Sequence, residues 1–127
     1  ARFDAAKAWA IWEASTSKLI QNKKSLHHFE DKNIADIFAR IECHYFVNKG
    51  FFKYDGWLLD QIEKIRHIPS VIIQGRYDVV CPMITAWELH QKWPEADFHI
   101  IQDSGHSMLE VGIRDKLIEY TNKFLKL

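Results

Sequence analysis

The sequence predicts an α/β chain with a helical first half and a second half that alternates strand and helix. Three observations lead there. Through roughly the first 66 positions apolar residues recur at spacings of three and four, the period of one helix face. Two short runs, Val71-Ile72-Ile73 between Pro69 and Gly75 and then Phe98-His99-Ile100-Ile101, have strand composition. Each run is followed by a helical pattern, and strand, helix, strand, helix is the order of a parallel sheet with right-handed crossovers.

The elements follow in order. Ala6, Trp9, Trp12, Thr16 and Leu19 mark one face of a helix over residues 3–20, with Glu13 on the edge of that stripe. Residues 18–31, including Asn22-Lys23-Lys24 and His27-His28, are polar and read as a loop or short irregular helix. A second helix is expected from about residue 33, with Ile34, Phe38, Ile41 and Tyr45 in register and Glu42 beside them. It should stop at Asn48-Lys49-Gly50, where Gly supplies a left-handed cap. Leu58, Ile62 and Ile65 predict a third helix over residues 57–66.

Val71-Ile72-Ile73 is expected to be a strand buried on both faces. Pro82 suits the first turn of a helix through Ala86, Leu89 and Trp93, which Trp93-Pro94 ends. After the second strand, Ile113, Leu117, Thr121 and Phe124 predict a last helix over residues 109–125.

Composition excludes several functions. The 127 residues are 47% hydrophobic, enough for a packed core. Seventeen basic and seventeen acidic residues cancel, leaving no electrostatic footprint for nucleic acid or an anionic membrane. No apolar run approaches the roughly 18 residues of a membrane span. Cys43 and Cys81 make no disulfide framework, so a reducing compartment, the cytoplasm, is expected. The chain opens at Ala1-Arg2-Phe3 as if inside a helix, and is expected to be a piece of a longer protein.

Asp78 and His106 each lie just past the carboxyl end of a predicted parallel strand, where ligands and catalytic groups gather in open α/β sheets. A carboxylate that holds an imidazole in one tautomer, and an imidazole that moves a nucleophile's proton, are two of the three parts of a serine-hydrolase site. The third part is absent. None of the six serines, Ser15, Ser17, Ser25, Ser70, Ser104 and Ser107, sits in a Gly-x-Ser-x-Gly elbow. Ser107 is expected to cap a helix, since a neighbour of His106 in sequence points elsewhere. Cys81 is expected to be a buried, inert thiol close to the site. The seven histidines show neither HExxH nor paired CxxC spacing, so neither a metal nor another cofactor is expected.

Gly75-Arg76-Tyr77-Asp78-Val79-Val80-Cys81-Pro82 together with Ser104-Gly105-His106-Ser107 resembles the closing part of an α/β-hydrolase, and more narrowly of the proline iminopeptidase family. Ala6-Lys7-Ala8-Trp9, Trp12-Glu13 and Ala39-Arg40-Ile41-Glu42-Cys43-His44-Tyr45-Phe46 resemble that family's cap domain. The resemblance implies that residues 1–56 are part of a helical cap. Residues 57–127 would then be the last two parallel strands and flanking helices of the hydrolase core. It implies removal of an N-terminal proline from peptides by a serine-type mechanism, with Asp78 and His106 in the triad, the serine upstream, and Glu13 and Glu42 receiving the substrate's amino group.

The residues support the last point in one respect: both glutamates lie on aromatic-lined faces, a sensible receptor for a secondary ammonium. A surface ion pair with Arg40 or Lys7 is the alternative for either. Another capped hydrolase, an esterase or epoxide hydrolase, would share Asp78 and His106 without needing two acids. A truncated module without catalysis would need none of the four. A sheet edge left open by the missing part should pair with that part or with a second copy.

Overall fold

The computed structural model describes residues 1–21 and 31–126, so most of the polar stretch at 18–31, His27-His28 included, lies outside the described residues. The chain divides into two compact units, one of Ala1–Thr16 with Ile20–Asp55 and one of Ser17–Leu19 with Gly56–Leu127.

The first unit is helical. Helix α1, Arg2–Thr16, packs on α2, Lys32–Val47, through small residues: Ala6 and Ala10 on one, Ala35 and Ala39 on the other, are all buried. Each pair is spaced by four, so the alanines stack on one face and the two backbones approach closely. Helix α1 stops four residues short of the expected end, and its inner face departs from the expected stripe at Trp12, which is 56% exposed, while Ala6 is buried as expected and Ala10 lies inside with it. Asp31 caps α2, its carboxylate accepting from the Asn33 and Ile34 amides at 2.9 and 3.2 Å.

On α2 the expected apolar face is only half covered, since Ile41 and Tyr45 are exposed. Asp36, buried beside the alanines, faces Arg2 Nε at 3.1 Å and Arg40 Nη1 at 3.9 Å. Gly50 takes the left-handed conformation expected after α2, but Lys49 and Phe51 share it, at φ of 52° and 63°. These two pay a strain of about 1–2 kcal/mol each. The Phe51 ring meets His44 and Tyr45 at centroid distances of 5.4 and 5.5 Å.

The second unit carries the sheet. Strand β1, Val71–Gly75, pairs in parallel with β2, Asp97–Ile101, from Val71 opposite Asp97 to Gly75 opposite Ile101. Helix α4, Met83–Lys92, connects them, and α5, Val111–Phe124, follows. Both helices pack on β1. Residues 57–66 do not form one helix. They give the single turn α3, Trp57–Asp60, and a 3-10 turn, Ile62–Lys64. The residue before α3 is Gly56 in a left-handed conformation, with no side chain to bind the first amides, so the costly first turn has no local support.

Val71 to Gln74 are half-buried rather than covered on both faces: among the described residues one strand, β2, pairs with β1, and α4 and α5 pack on it. On α5 the inner register is Ile113 and Tyr120, both buried, with Leu117 and Phe124 half-buried. Thr121 is exposed and turns its hydroxyl to the Leu117 carbonyl at 2.8 Å. Tyr120 goes inside because its hydroxyl has a partner there, donating to Asp97 Oδ2 at 2.8 Å. With that hydrogen committed, the 2.6 Å contact to His99 Nε2 is one in which the imidazole donates. At the opposite end of the strands, Arg66 donates from Nε to Glu95 Oε2 at 2.9 Å and from Nη1 to Glu63 at 2.7 Å, tying the approaches to β1 and β2 together.

Candidate active site

The site is built where the ends of β1 and β2 meet. Past Gly75 the chain turns, with the Asp78 amide donating to the Gly75 carbonyl at 3.3 Å. The turn is tied to the β2 side by Arg76 N to Ile101 O at 2.9 Å and Tyr77 N to Ser104 O at 3.0 Å. The two backbones cross so closely that a Cβ on Gly75 would lie 1.9 Å from the Gly105 carbonyl oxygen. Only glycine permits that approach.

Asp78 and His106 are brought together by this crossing, with Asp78 Oδ2 3.0 Å from His106 Nδ1. The Asp78 side chain is 6% exposed and that of His106 39%. The other carboxylate oxygen, Oδ1, accepts from the Val80 and Cys81 amides at 3.0 and 2.8 Å, and Gln74 Nε2 donates to Oδ2 at 3.2 Å. A carboxylate accepts only, so it holds the proton of His106 on Nδ1 and leaves Nε2 as the basic nitrogen. That arrangement can take a proton from a hydroxyl or thiol placed at Nε2 and later return it.

The loop that carries His106 is fastened by residues that no motif announces. The amides of His106 and Ser107 donate to the Ser17 carbonyl at 3.1 and 2.7 Å. Glu110 receives the Gly105 amide on Oε2 and the Leu19 amide on Oε1, the latter at 2.7 Å. The contacts to Ser17 and Leu19 join positions about ninety apart in sequence, so spacing could not reveal them; the local signal is an acid just before α5, five residues after Gly105. Ser107 does not cap α5. Its hydroxyl accepts from the Leu109 amide at 3.3 Å, and Glu110 takes the N-cap position.

Cys81 is exposed, which corrects the expected buried thiol: it lies in the turn after β1, and its amide donates to Asp78 Oδ1 at 2.8 Å. Glu13 and Glu42 are half-buried, on α1 and α2 of the first unit. Glu42 Oε2 accepts from the Trp9 indole at 2.6 Å, and Trp9 lies one turn before Glu13. Arg40 turns to Asp36 at 3.9 Å, not to Glu42. Trp9 also meets Trp12 and Phe46 at ring distances of 5.7 and 6.2 Å, so the Glu42 carboxylate sits at an aromatic cluster. Among the described residues no three His, Cys, Asp or Glu side chains converge as metal ligands, and no helix is long and apolar enough to cross a membrane.

No family model matches the chain. Among curated proteins it is 53% identical over 124 residues to a probable proline iminopeptidase of Leptolyngbya boryana, covering 98% of this chain and 39% of that protein. It is 50% identical over 126 residues to the proline iminopeptidase of Arabidopsis thaliana, with 99% and 33% covered. With that of Xanthomonas citri the identity is 48% over 123 residues, with 97% and 39% covered. The chain thus spans about a third to two fifths of the length of these relatives. Matched along nearly its whole length by proteins that extend well beyond it, the chain is a homologue of the proline iminopeptidases, corresponding to a C-terminal portion of them.

Proposed function

We propose that the chain supplies the acid and the base of a serine-type aminopeptidase that releases N-terminal proline from peptides, the nucleophile standing on a preceding part of a longer protein. The observation that carries this is the 3.0 Å contact between a buried Asp78 and a partly exposed His106 at adjacent ends of parallel strands. In the complete enzyme the serine attacks the proline carbonyl. His106 Nε2 takes the serine's proton and then gives it to the leaving amine, while Asp78 holds the ring.

Residues 1–56 serve as part of a cap and residues 57–127 as the end of the catalytic core. Glu13 and Glu42 receive the ammonium of the substrate's proline. The half-buried position of both acids and the aromatic cluster around Glu42 support this, because a carboxylate at an apolar surface gains more from a cation than one in water. The exposed Cys81 lies beside the acid as a thiol that bulky reagents could reach. The enzyme works in the cytoplasm and needs no cofactor. The preceding part of the protein, or a second copy, covers the open side of β1.

Replacing Glu13 or Glu42 by Gln in the longer protein tests the substrate assignment. Hydrolysis of a proline arylamide should fall on the order of a hundredfold, the scale of one lost charge-assisted contact, while hydrolysis of an uncharged ester should change little. Equal effects on both substrates would reject the amine-binding role.

A further inference from the structure

We infer that Gln74 is a positioning residue for the Asp78–His106 pair, its side-chain amide holding the acid's Oδ2 where that oxygen meets the Nδ1 proton of the histidine. This rests on the reading of the pair as acid and base. Gln74 is the polar break in an otherwise apolar strand, Val71-Ile72-Ile73-Gln74-Gly75, and lies opposite Ile100 in the sheet. Its Nε2 donates to Asp78 Oδ2 at 3.2 Å and to the Cys81 carbonyl at 2.9 Å. Both amide hydrogens are therefore engaged. The flipped amide is excluded, because its oxygen would face a carboxylate and a carbonyl, both acceptors.

The two oxygens of Asp78 are held differently. Oδ1 is fixed by two backbone amides of the turn, at Val80 and Cys81. Among the described residues Oδ2 meets side chains alone, the imidazole and the Gln74 amide. Without Gln74 the carboxylate can pivot about Oδ1, and the imidazole is left to hold the oxygen that should be holding it. A strand is a firmer base for such a support than the loops on either side.

The test is nuclear magnetic resonance of the 127-residue chain labelled uniformly with nitrogen-15. The unmodified chain should show His106 as the Nδ1–H tautomer. In Gln74→Met, which keeps length and volume but has no donor, exchange of the Nδ1 proton with water should quicken about tenfold or more, while the Val80 and Cys81 amides keep their protection. Gln74→Glu should go further, since an acceptor then faces an acceptor. An unchanged His106 ring in both variants would overturn the inference, as would an effect confined to the Val80 and Cys81 amides, which would make Gln74 a staple of the turn alone.

If His106 in the unmodified chain is not the Nδ1–H tautomer, the acid–base reading fails first and the inference with it. Should the variants not fold, the unmodified chain still decides: Gln74 Nε2 protons should exchange about tenfold more slowly than those of the exposed Gln91, and equal rates would overturn the inference.

Discussion

Asp78 accepts four hydrogen bonds, two from the backbone of its own turn and two from side chains, and this makes the acid a fixed point against which His106 is set. An amide in its place keeps the size and loses an acceptor: with its oxygen kept for the Val80 and Cys81 amides, its NH2 group takes the place of Oδ2 and faces the imidazole Nδ1. The ring would then be held in the wrong tautomer. In the proposed enzyme Asp78→Asn should lower kcat by about 10⁴ with little change in KM, read by steady-state kinetics; a loss under about tenfold would remove Asp78 from the proposed mechanism. Asp78 and His106 were legible in the sequence because each follows a strand by a few residues. Gln74, Glu110 and the Ser17 carbonyl were not. Their parts are set by the crossing of two loops, and for Ser17 by a backbone atom, which has no signature in residue type.

At the scale of elements, the crossing of the β1 turn with the β2 loop is what unites acid and base. Gly75→Ala would drive a methyl into the Gly105 carbonyl, backbone against backbone, so relief requires the loops to part. The variant should lose about 3 kcal/mol or more in urea unfolding, a size reserved for severe steric conflicts. Any folded fraction should have lost the His106–Asp78 contact. Stability close to that of the unmodified chain would mean that the loops are not held as described.

The tie between β2 and α5 sets a pH dependence. The Asp97 carboxyl is held below its ordinary range chiefly by the Tyr120 hydroxyl and then by Lys123, and Tyr120 is held above the ordinary phenol range chiefly by the same bond to Asp97. The depressed acid stabilises fully above the ordinary carboxylate range, and that contribution is lost as pH falls through the folded value. The raised phenol stabilises fully below its ordinary value and loses that contribution as pH rises through the folded one. The melting temperature should therefore fall on both limbs, below about pH 4 and above about pH 10. Tyr120→Phe should flatten both; a variant with the parent's full pH dependence would contradict the assignment.

The two strands, their parallel sense and four of the helices could be read from periodicity. The third helix, expected from the same periodicity, does not form as one for want of a cap at Gly56, and the inner register of α5 went to Tyr120 over Thr121 because tertiary partners for a hydroxyl are invisible to spacing.

At the scale of the whole molecule, the chain holds an assembled acid–base pair and exposes large apolar residues: Ile37, Ile41, Tyr45 and Val47 on α2, and Tyr77 and Val79 beside the site. In the proposed enzyme the preceding part of the protein covers them and brings the serine and the oxyanion donors. Base and orienter alone lack an attacking group and a place for the developing charge. The most direct measurement is release of proline from a proline arylamide by the purified 127-residue chain, alone and then mixed with the preceding part of the longer protein. Alone it should release none above the buffer rate, and the mixture should recover activity that Asp78→Asn removes. Release by the chain alone, free of any longer form, would contradict the account.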